Sequence, residues 1–510
     1  MSKFFLGIDI GTTGCKSAVY DQEGRKVIGD YQEYFLDYPG PKQVEIHPDR
    51  WWDAVRHTLK GIVKQGFALN KIKGIGISCT NAILAVDQKG HPLRKAIMQL
   101  DQRTDNEIEW LHSNIGEERI FQVTGNRIAP GTFSVPALLW IKNNQPEIYK
   151  KAYKFLAPTG YIVYKLTGSY SIDPSRASTT MLFDLRKQDW DPLLCKAIGI
   201  PLQLLPKITP ADMVVGFTSK EIEEITGLKT GTSVVTGCMD SVAAALGSGI
   251  SRNGEVFSIL GTVGRLGICV TKPTFDNRMV NCCHGLPGSW LSMAAINGTG
   301  ASYRWFRDNF GQLERLLAEE TGDNPYELMN KEAARSPAGA RGIIYLPYLA
   351  AERSPVWDSN VSAAFLGLKL SHRRADLIRA LLEGISLAFR HNLDVFGEEL
   401  GIKITEIKIS GGGASSSLWR QILADVLGVK VHLLANQETE TLGAAFLAAK
   451  GTGLISGYES FNPAITETKL PNSNNREIYQ KLYAIYKELY GRLKATNEQL
   501  SQLHRTYFER

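Results

Sequence analysis

The stretch "GIDIGTTGCKS", Gly7 to Ser17, decides how this chain is read. A Walker A phosphate loop ends in Gly-Lys-Ser/Thr and opens a helix. Here Cys15 separates Gly14 from Lys16, so the spelling fails. The surroundings fail as well. Phe4 to Ile10 is a buried-strand run and Lys16 to Tyr20 a second. After a turn around Gly24, Val27-Ile28 resumes extended character. This predicts an antiparallel meander, strand–turn–strand–turn–strand, with Lys16 on a strand and not at a helix start. Gly11 and Gly14 permit a tight hairpin whose backbone N–H groups, with the Thr12 and Thr13 hydroxyls, form a nest for phosphate oxygens. Lys16 adds a point charge. Asp9, ending the first strand, is a candidate ligand for Mg²⁺ through water. A plain tight turn with a salt-bridged lysine is the alternative that these residues leave open.

Moving outward, "PDRWWDAVRHTLKGIVKQ" carries Trp52, Val55, Leu59 and Ile62 at helical spacing. "KIKGIGISC" reads as a strand and "AILAVDQKG" as a strand with its turn, so the beginning runs β-β-β-α-β-β. A related pattern returns. "GEVFSILGTVGRLGICVTK", Gly254 to Lys272, is again strand, Gly-Thr turn, strand, and Gly261-Thr262 form a second candidate phosphate hairpin. "ITEIKISGGGASSSLWRQILADVLG" is a strand, a glycine turn, and a helix from about Ser417 to Leu427. Gly411, Gly412, Gly413 and Ala414 there permit close backbone approach by a nucleotide, or form only a flexible loop; the spacing is a poor match to a dinucleotide fingerprint. Two Gly-Thr hairpins suggest a duplicated architecture with a boundary near Gly247 to Gly254, hence domains 1–248 and 249–510. The C-terminal "REIYQKLYAIYKELYGRLK" predicts an amphipathic packing helix with Ile478, Leu482, Ile485, Leu489 and Leu493 inward and a tyrosine-rich flank.

The bulk numbers agree with a protein of this size. The 510 residues allow about two to four domains at roughly 100–200 residues each. A net charge of +6 with no block of like charges gives no support for a nucleic-acid arm. The seven cysteines lack CxxC spacing, and Cys282-Cys283 followed by His284 is a weak metal pattern, since adjacent strand residues face opposite sides. Reduced thiols in a cytoplasmic protein fit better. The N-terminal apolar run is too short for a signal peptide, and there is no 18-residue apolar span for a membrane.

In "TSVVTGCMDSVAAALGSG", a strand to about Cys238 precedes a small-residue helix with Asp240 at its N-terminal end. The macrodipole favours a carboxylate there. Such an Asp is either a plain helix cap or the proton acceptor that phosphoryl transfer to a hydroxyl needs.

Together these segments resemble the FGGY carbohydrate kinases of the sugar kinase/Hsp70/actin superfamily, nearly end to end. "GIDIGTTGCK" and "LGTVG" are similar to the first and second phosphate motifs, "ISGGGASSSLW" to the adenosine motif, and "GCMDSVAAALG" to the Gly-x-x-Asp segment. Ala363 to Glu383 is similar to the C-terminal signature, and Tyr348 to Pro355 to a segment shared by xylulokinase-like members. The resemblance implies an α/β fold of two ribonuclease H-like (actin-like ATPase) domains, each a mixed five-stranded sheet flanked by helices, with an interdomain cleft where ATP·Mg²⁺ and a small carbohydrate meet. It implies Asp240 as the base and, with Asp9, as a metal-site residue. A homodimer is left open, and neither nucleic acid nor membrane is an expected partner.

The departures lie on the acceptor side. Thr80-Asn81 falls where xylulokinases carry Met-His and glycerol kinases Arg-Glu; Gln99 replaces a usual Trp, while Asp101 and Arg103 keep an Asp-x-Arg pattern. Ser241 stands where xylulokinases often have Asn, and Ala137 where Lys is common. Thr80, Asn81 and Asp101 are therefore the candidate acceptor residues. A pentulose such as xylulose is the first expectation, with gluconate, glycerol or a sugar alcohol as alternatives. A nucleotide switch of the actin/Hsp70 type, lacking any sugar acceptor, is the remote one.

Overall fold

The computed structural model describes residues 3–455, 457–458 and 463–508. The chain forms two compact units, neither continuous in sequence. The first comprises Met1–Arg252, Cys269–Leu291 and Glu438–Pro463; the second comprises Asn253–Ile268, Ser292–Gln437 and Ala464–Arg510.

The first unit is built on the predicted meander. Strands Phe4–Ile10, Gly14–Asp21 and Lys26–Glu33 pair antiparallel in chain order. Strand Ile72–Cys79 adds parallel to the first of them, and Ser233–Val235 adds parallel to Ile72–Cys79. The expected five-stranded core is extended by an edge strand, Val214–Phe217. The fifth strand is also interrupted, resuming as Cys238–Met239 beyond Gly237. Gly237 has φ +80°, and a Cβ there would sit 2.1 Å from the Ile77 carbonyl oxygen. Only glycine permits that close step, which delivers the chain to Asp240.

One face of this sheet buries the helix Asp49–Lys64 through Trp51, Trp52, Val55, Leu59 and Ile62, which share a core with Leu6, Ile8, Ile75 and Ile77. The other face is cut down to backbone at two central positions. A Cβ on Gly7 would lie 1.8 Å from the Thr441 carbonyl oxygen, and one on Gly76 1.9 Å from that of Ala444. The helix Thr439–Gly451 rests there. The same helix meets the helix Asp240–Gly247 equally closely, since a Cβ on Gly443 would lie 1.9 Å from the Ala243 carbonyl oxygen. Glycine thus substitutes for side-chain layers where three elements converge on the site.

The second unit repeats the pattern. Strands Val256–Leu260 and Gly264–Val270 form the second hairpin. Glu406–Ser410 pairs parallel to the first strand of that hairpin and Lys430–Leu434 parallel to Glu406–Ser410, with Ile465–Lys469 antiparallel at the edge. Helices Arg374–Leu400 and Ser417–Leu427 belong to this unit, as does the C-terminal helix Arg476–Tyr507.

The inward stripe of that last helix differs from the expected one. Leu482 is buried, but Ile485 is 51% exposed, Ile478 is at the surface, and Leu489 and Leu493 are half-buried. Tyr479, Tyr483 and Tyr486 are buried instead. Their spacing is as helical as that of the aliphatic stripe. Two of these tyrosines bury their rings and still give their hydroxyls a polar partner: Tyr479 donates to Glu383 at 2.7 Å, and the Tyr486 and Tyr348 hydroxyls meet at 3.3 Å.

Among the described residues no helix is long and apolar enough to cross a membrane. All seven cysteines are buried and outside any disulfide. His284 follows the strand Val280–Cys283, and its Nε2 lies 3.0 Å from the Ile250 carbonyl oxygen; burial pushes its pKa down to about 4.

Candidate active site

The first hairpin places Asp9 directly across from Lys16, and Ile10 across from Cys15. Cys15 is wholly buried and Lys16 exposed, so the residue that spoils the Walker spelling is a core side chain. The turn closes with the Gly11 N–H donating to the Gly14 carbonyl at 2.9 Å, and Tyr34 braces it, donating its hydroxyl to the Gly11 carbonyl at 2.5 Å. Among the described residues the Thr12 and Thr13 N–H groups have no partner, the state expected of an anion nest.

Asp9 is buried and accepts a 2.7 Å hydrogen bond from Ser78 Oγ on the neighbouring parallel strand. Burial pushes its carboxyl up to about 7, and the charges of Glu440 and Asp240 push the same way, against the Ser78 bond and Lys16. Three carboxylates, from the ends of a strand and two helices, therefore share one electrostatic neighbourhood. This donor chemistry fits a divalent cation, which would relieve their mutual repulsion. Among the described residues no three acidic, histidine or cysteine side chains are grouped to hold an ion unaided, so a cation there would need further ligands from phosphate and water.

Asp240 opens its helix, as expected. Its Oδ1 accepts from the Ser241 N–H at 2.6 Å and from Ser241 Oγ at 3.1 Å. The preceding Met239 amide donates to Ser175 Oγ at 3.0 Å, and Ser175 Oγ donates in turn to Asp173. Asp173, buried and pushed up to about 6, caps the turn Pro174–Ser178.

The acceptor-side candidates divide. Thr80 is buried, its hydroxyl 3.3 Å from that of Thr12, and Gln99 Nε2 donates to Thr12 Oγ1 at 3.1 Å. Both thus lie against the first hairpin. Asn81 is committed at each end of its amide: Nδ2 donates to the carbonyls of Gly131 (3.3 Å) and Thr132 (2.7 Å), and Oδ1 accepts from Arg176 at 2.6 Å. Asp101 is committed too, accepting from the Val44 N–H at 2.7 Å and gripping Arg103 at 2.7–2.9 Å. Asn81, Gln99, Asp101 and Ala137 nevertheless line one small cavity, together with Gly131 and Phe133.

In the second unit, the Gly261-Thr262 turn docks on the start of the helix Thr299–Phe310. The Gly300 and Ala301 N–H groups donate to the Gly261 and Thr262 carbonyls, both at 3.0 Å. Gly411 has φ +93° and ψ 166°, and its N–H donates to Gln437 Oε1 at 3.0 Å. A Cβ at Gly411 would lie 3.0 Å from the Leu260 backbone and one at Gly413 2.8 Å from the Trp419 ring, whereas Gly412 faces open space. Ala414 is buried, closing the turn by donating its N–H to the Gly411 carbonyl at 2.9 Å.

Three residues of these networks escape sequence reasoning: Glu440, Arg176 and Arg304, whose Nη2 reaches Thr262 Oγ1 at 3.5 Å. Glu440 carries a faint signal, an acid in the first turn of a helix of small residues.

Two mixed sheets of one pattern, each opening on a Gly-Thr hairpin, define a two-domain α/β kinase of actin-like ATPase build. Residues 4–247 match the N-terminal domain of the FGGY family of carbohydrate kinases, and residues 258–452 match its C-terminal domain. The chain belongs to this family and is an ATP-dependent sugar kinase. It is 30% identical to a xylulose kinase of Staphylococcus xylosus over 494 residues, 96% of this chain and 99% of that one. It is also 30% identical to a gluconokinase of Bacillus subtilis over 509 residues, 99% of each. The crystal structure of xylulose kinase from Rhodospirillum rubrum aligns with a TM-score of 0.87 at 30% identity, covering 97% of this chain and all of that one.

Proposed function

We propose that the chain transfers the γ-phosphoryl group of ATP to a hydroxyl of a small polyhydroxylated carbohydrate, a pentulose such as xylulose in the first instance. Asp240 takes the hydroxyl proton as the acceptor oxygen bonds to the γ-phosphorus and the bond to the β–γ bridging oxygen breaks, releasing ADP. The observation carrying this reading is Asp240 at a helix start, its Oδ1 fixed by Ser241, in one electrostatic neighbourhood with Asp9 beside the first hairpin. Gly11, Thr12, Thr13 and Lys16 serve the phosphates, as do Gly261 and Thr262; Gly411 to Ala414 serve the adenosine. Asp9 and Asp240 would hold Mg²⁺, which supplies charge neutralisation to the transferring group.

Thr80 and Gln99 are the acceptor-facing side chains in this reading, with Asn81 and Asp101 shaping the wall behind them. A sugar acid such as gluconate is the second reading, favoured by the equal identity to a gluconokinase over 99% of the chain. An ADP-release assay with a panel of ketoses, sugar acids and polyols separates the two. ADP release indifferent to every acceptor would overturn both.

A further inference from the structure

We infer that Arg176 is a positioning residue that sets acceptor selectivity by locking the Asn81 amide, and with it one wall of the cavity that Asn81 and Gln99 line. The inference rests on the reading above, that this cavity takes the acceptor.

Arg176 is 1% exposed, the third largest fully buried side chain among the described residues. Its charge lies near Asp173, whose carboxylate caps the same turn. One Nη2 serves two acceptors, Asn81 Oδ1 at 2.6 Å and the Thr179 hydroxyl. Nη1 has no partner among the described residues. A guanidinium buried with a donor unmet is a costly way to fill space, and an apolar side chain of this volume would pack without that penalty. What the arginine supplies is direction.

An asparagine amide can flip, since its two ends are nearly isosteric. A cation at 2.6 Å accepts only the orientation with Oδ1 toward it. That forces Nδ2 toward the Gly131 and Thr132 carbonyls, where it donates twice. Gly131 is in turn pressed against the cavity: with φ +66°, a Cβ on it would lie 2.1 Å from the Gln99 carbonyl oxygen. The line Arg176, Asn81, Gly131, Gln99 thus runs from the core to a side chain bonded to Thr12 of the first hairpin. Arg176 also lines a second cavity that shares Ala82, Ile83 and Ser134 with the first.

The test is steady-state kinetics of Arg176→Met, Arg176→Lys and Asn81→Asp with the best acceptor and a poorer one from the panel, beside Gln99→Ala as a control on the cavity. Asn81→Asp keeps the acceptor for Arg176 but loses the donor to Gly131 and Thr132. We expect acceptor KM to rise on the order of tenfold or more in the Met and Asp variants, KM for ATP to stay put, and the ratio of kcat/KM between the two acceptors to shrink. Arg176→Lys should recover part of that ratio. A purely structural arginine would lower the melting temperature without changing the ratio, and that result overturns the inference. If Arg176→Met does not fold, Asn81→Asp carries the decision alone. If Gln99→Ala moves acceptor KM and the Arg176 and Asn81 variants do not, the inference fails while the cavity assignment stands. If none of them moves it, the cavity assignment itself fails.

Discussion

The hydroxyl of Ser175 accepts the amide hydrogen of Met239 at 3.0 Å, 64 residues along the chain. The peptide entering Asp240 is therefore anchored to the turn Pro174–Ser178, whose next residue, Arg176, holds Asn81. One short turn braces both the proposed base and the proposed acceptor wall. Ser175→Ala should leave the buried Met239 N–H unmet, costing ~1–3 kcal/mol of stability. Denaturant unfolding measures the loss, and kcat should fall while KM for ATP holds. An unchanged kcat would detach the turn from catalysis.

Asp240→Asn keeps the shape of the side chain and removes its basicity. Phosphorylation of the true acceptor should drop about 10²–10⁴-fold, with ATP binding by calorimetry retained. Near-wild-type turnover would refute Asp240 as the base.

Lys16 is exposed opposite Asp9, so its removal leaves no cavity. Lys16→Ala should raise KM for ATP by about 10- to 100-fold, the worth of a charge-assisted hydrogen bond, without abolishing turnover. Complete inactivity, or an unmoved KM, would each contradict a phosphate contact from the hairpin strand.

The glycine turn offers a comparison within three residues. Gly411 occupies a backbone region reserved for glycine, with Leu260 backbone at 3.0 Å from any added Cβ, while Gly412 meets nothing within 4 Å. Gly411→Ala should cost ~1–3 kcal/mol and weaken ATP use. Gly412→Ala should leave the melting temperature within experimental scatter. Equal melting temperatures for the two variants would reject the geometry of the turn.

Glu352 should make stability depend on pH. Burial pushes its carboxyl from 4.5 up to about 8, against hydrogen bonds from the Asn297 and Arg353 N–H groups, both at 2.9 Å. A carboxyl raised on folding holds its proton in the native state where the unfolded chain has released it. Its contribution is therefore fully present below about pH 4.5 and is lost as pH rises through about 8. Glu352→Gln removes the dependence. Unfolding free energies at pH 5.5, 7 and 8.5 should show the wild type losing ground to the variant as pH rises, and parallel curves would disprove it.

What was legible in the sequence was local. The hairpins announce themselves by glycine, alternation and turn chemistry within a dozen residues, and Asp240 by the strand and helix on either side of it. Glu440 and Arg176 were not legible, because their roles depend on partners far along the chain; Arg176 and Asn81 are 95 residues apart. The C-terminal helix misled for a different reason. Hydropathy ranks Ile485 above Tyr486, but a tyrosine can bury its ring and still answer a polar group. The acceptor candidates show the same limit: position suggested Asn81 and Asp101 as contacts, but gave no sign of how fully each is hydrogen-bonded within the chain.

The helix Thr439–Gly451 has a consequence for how the molecule is made. It lies on strands reduced to bare peptide at Gly7 and Gly76, yet it leaves the ribosome after most of the second unit. Throughout most of synthesis that side of the first sheet waits uncovered, with bare peptide at Gly7 and Gly76. The enzyme is finished, in this sense, from its far end: a fragment stopping at Arg252 would contain the hairpin and Asp240 but lack the piece that brings Glu440 beside them. Supplying 438–463 as a separate peptide is the natural way to ask whether that side can be covered late.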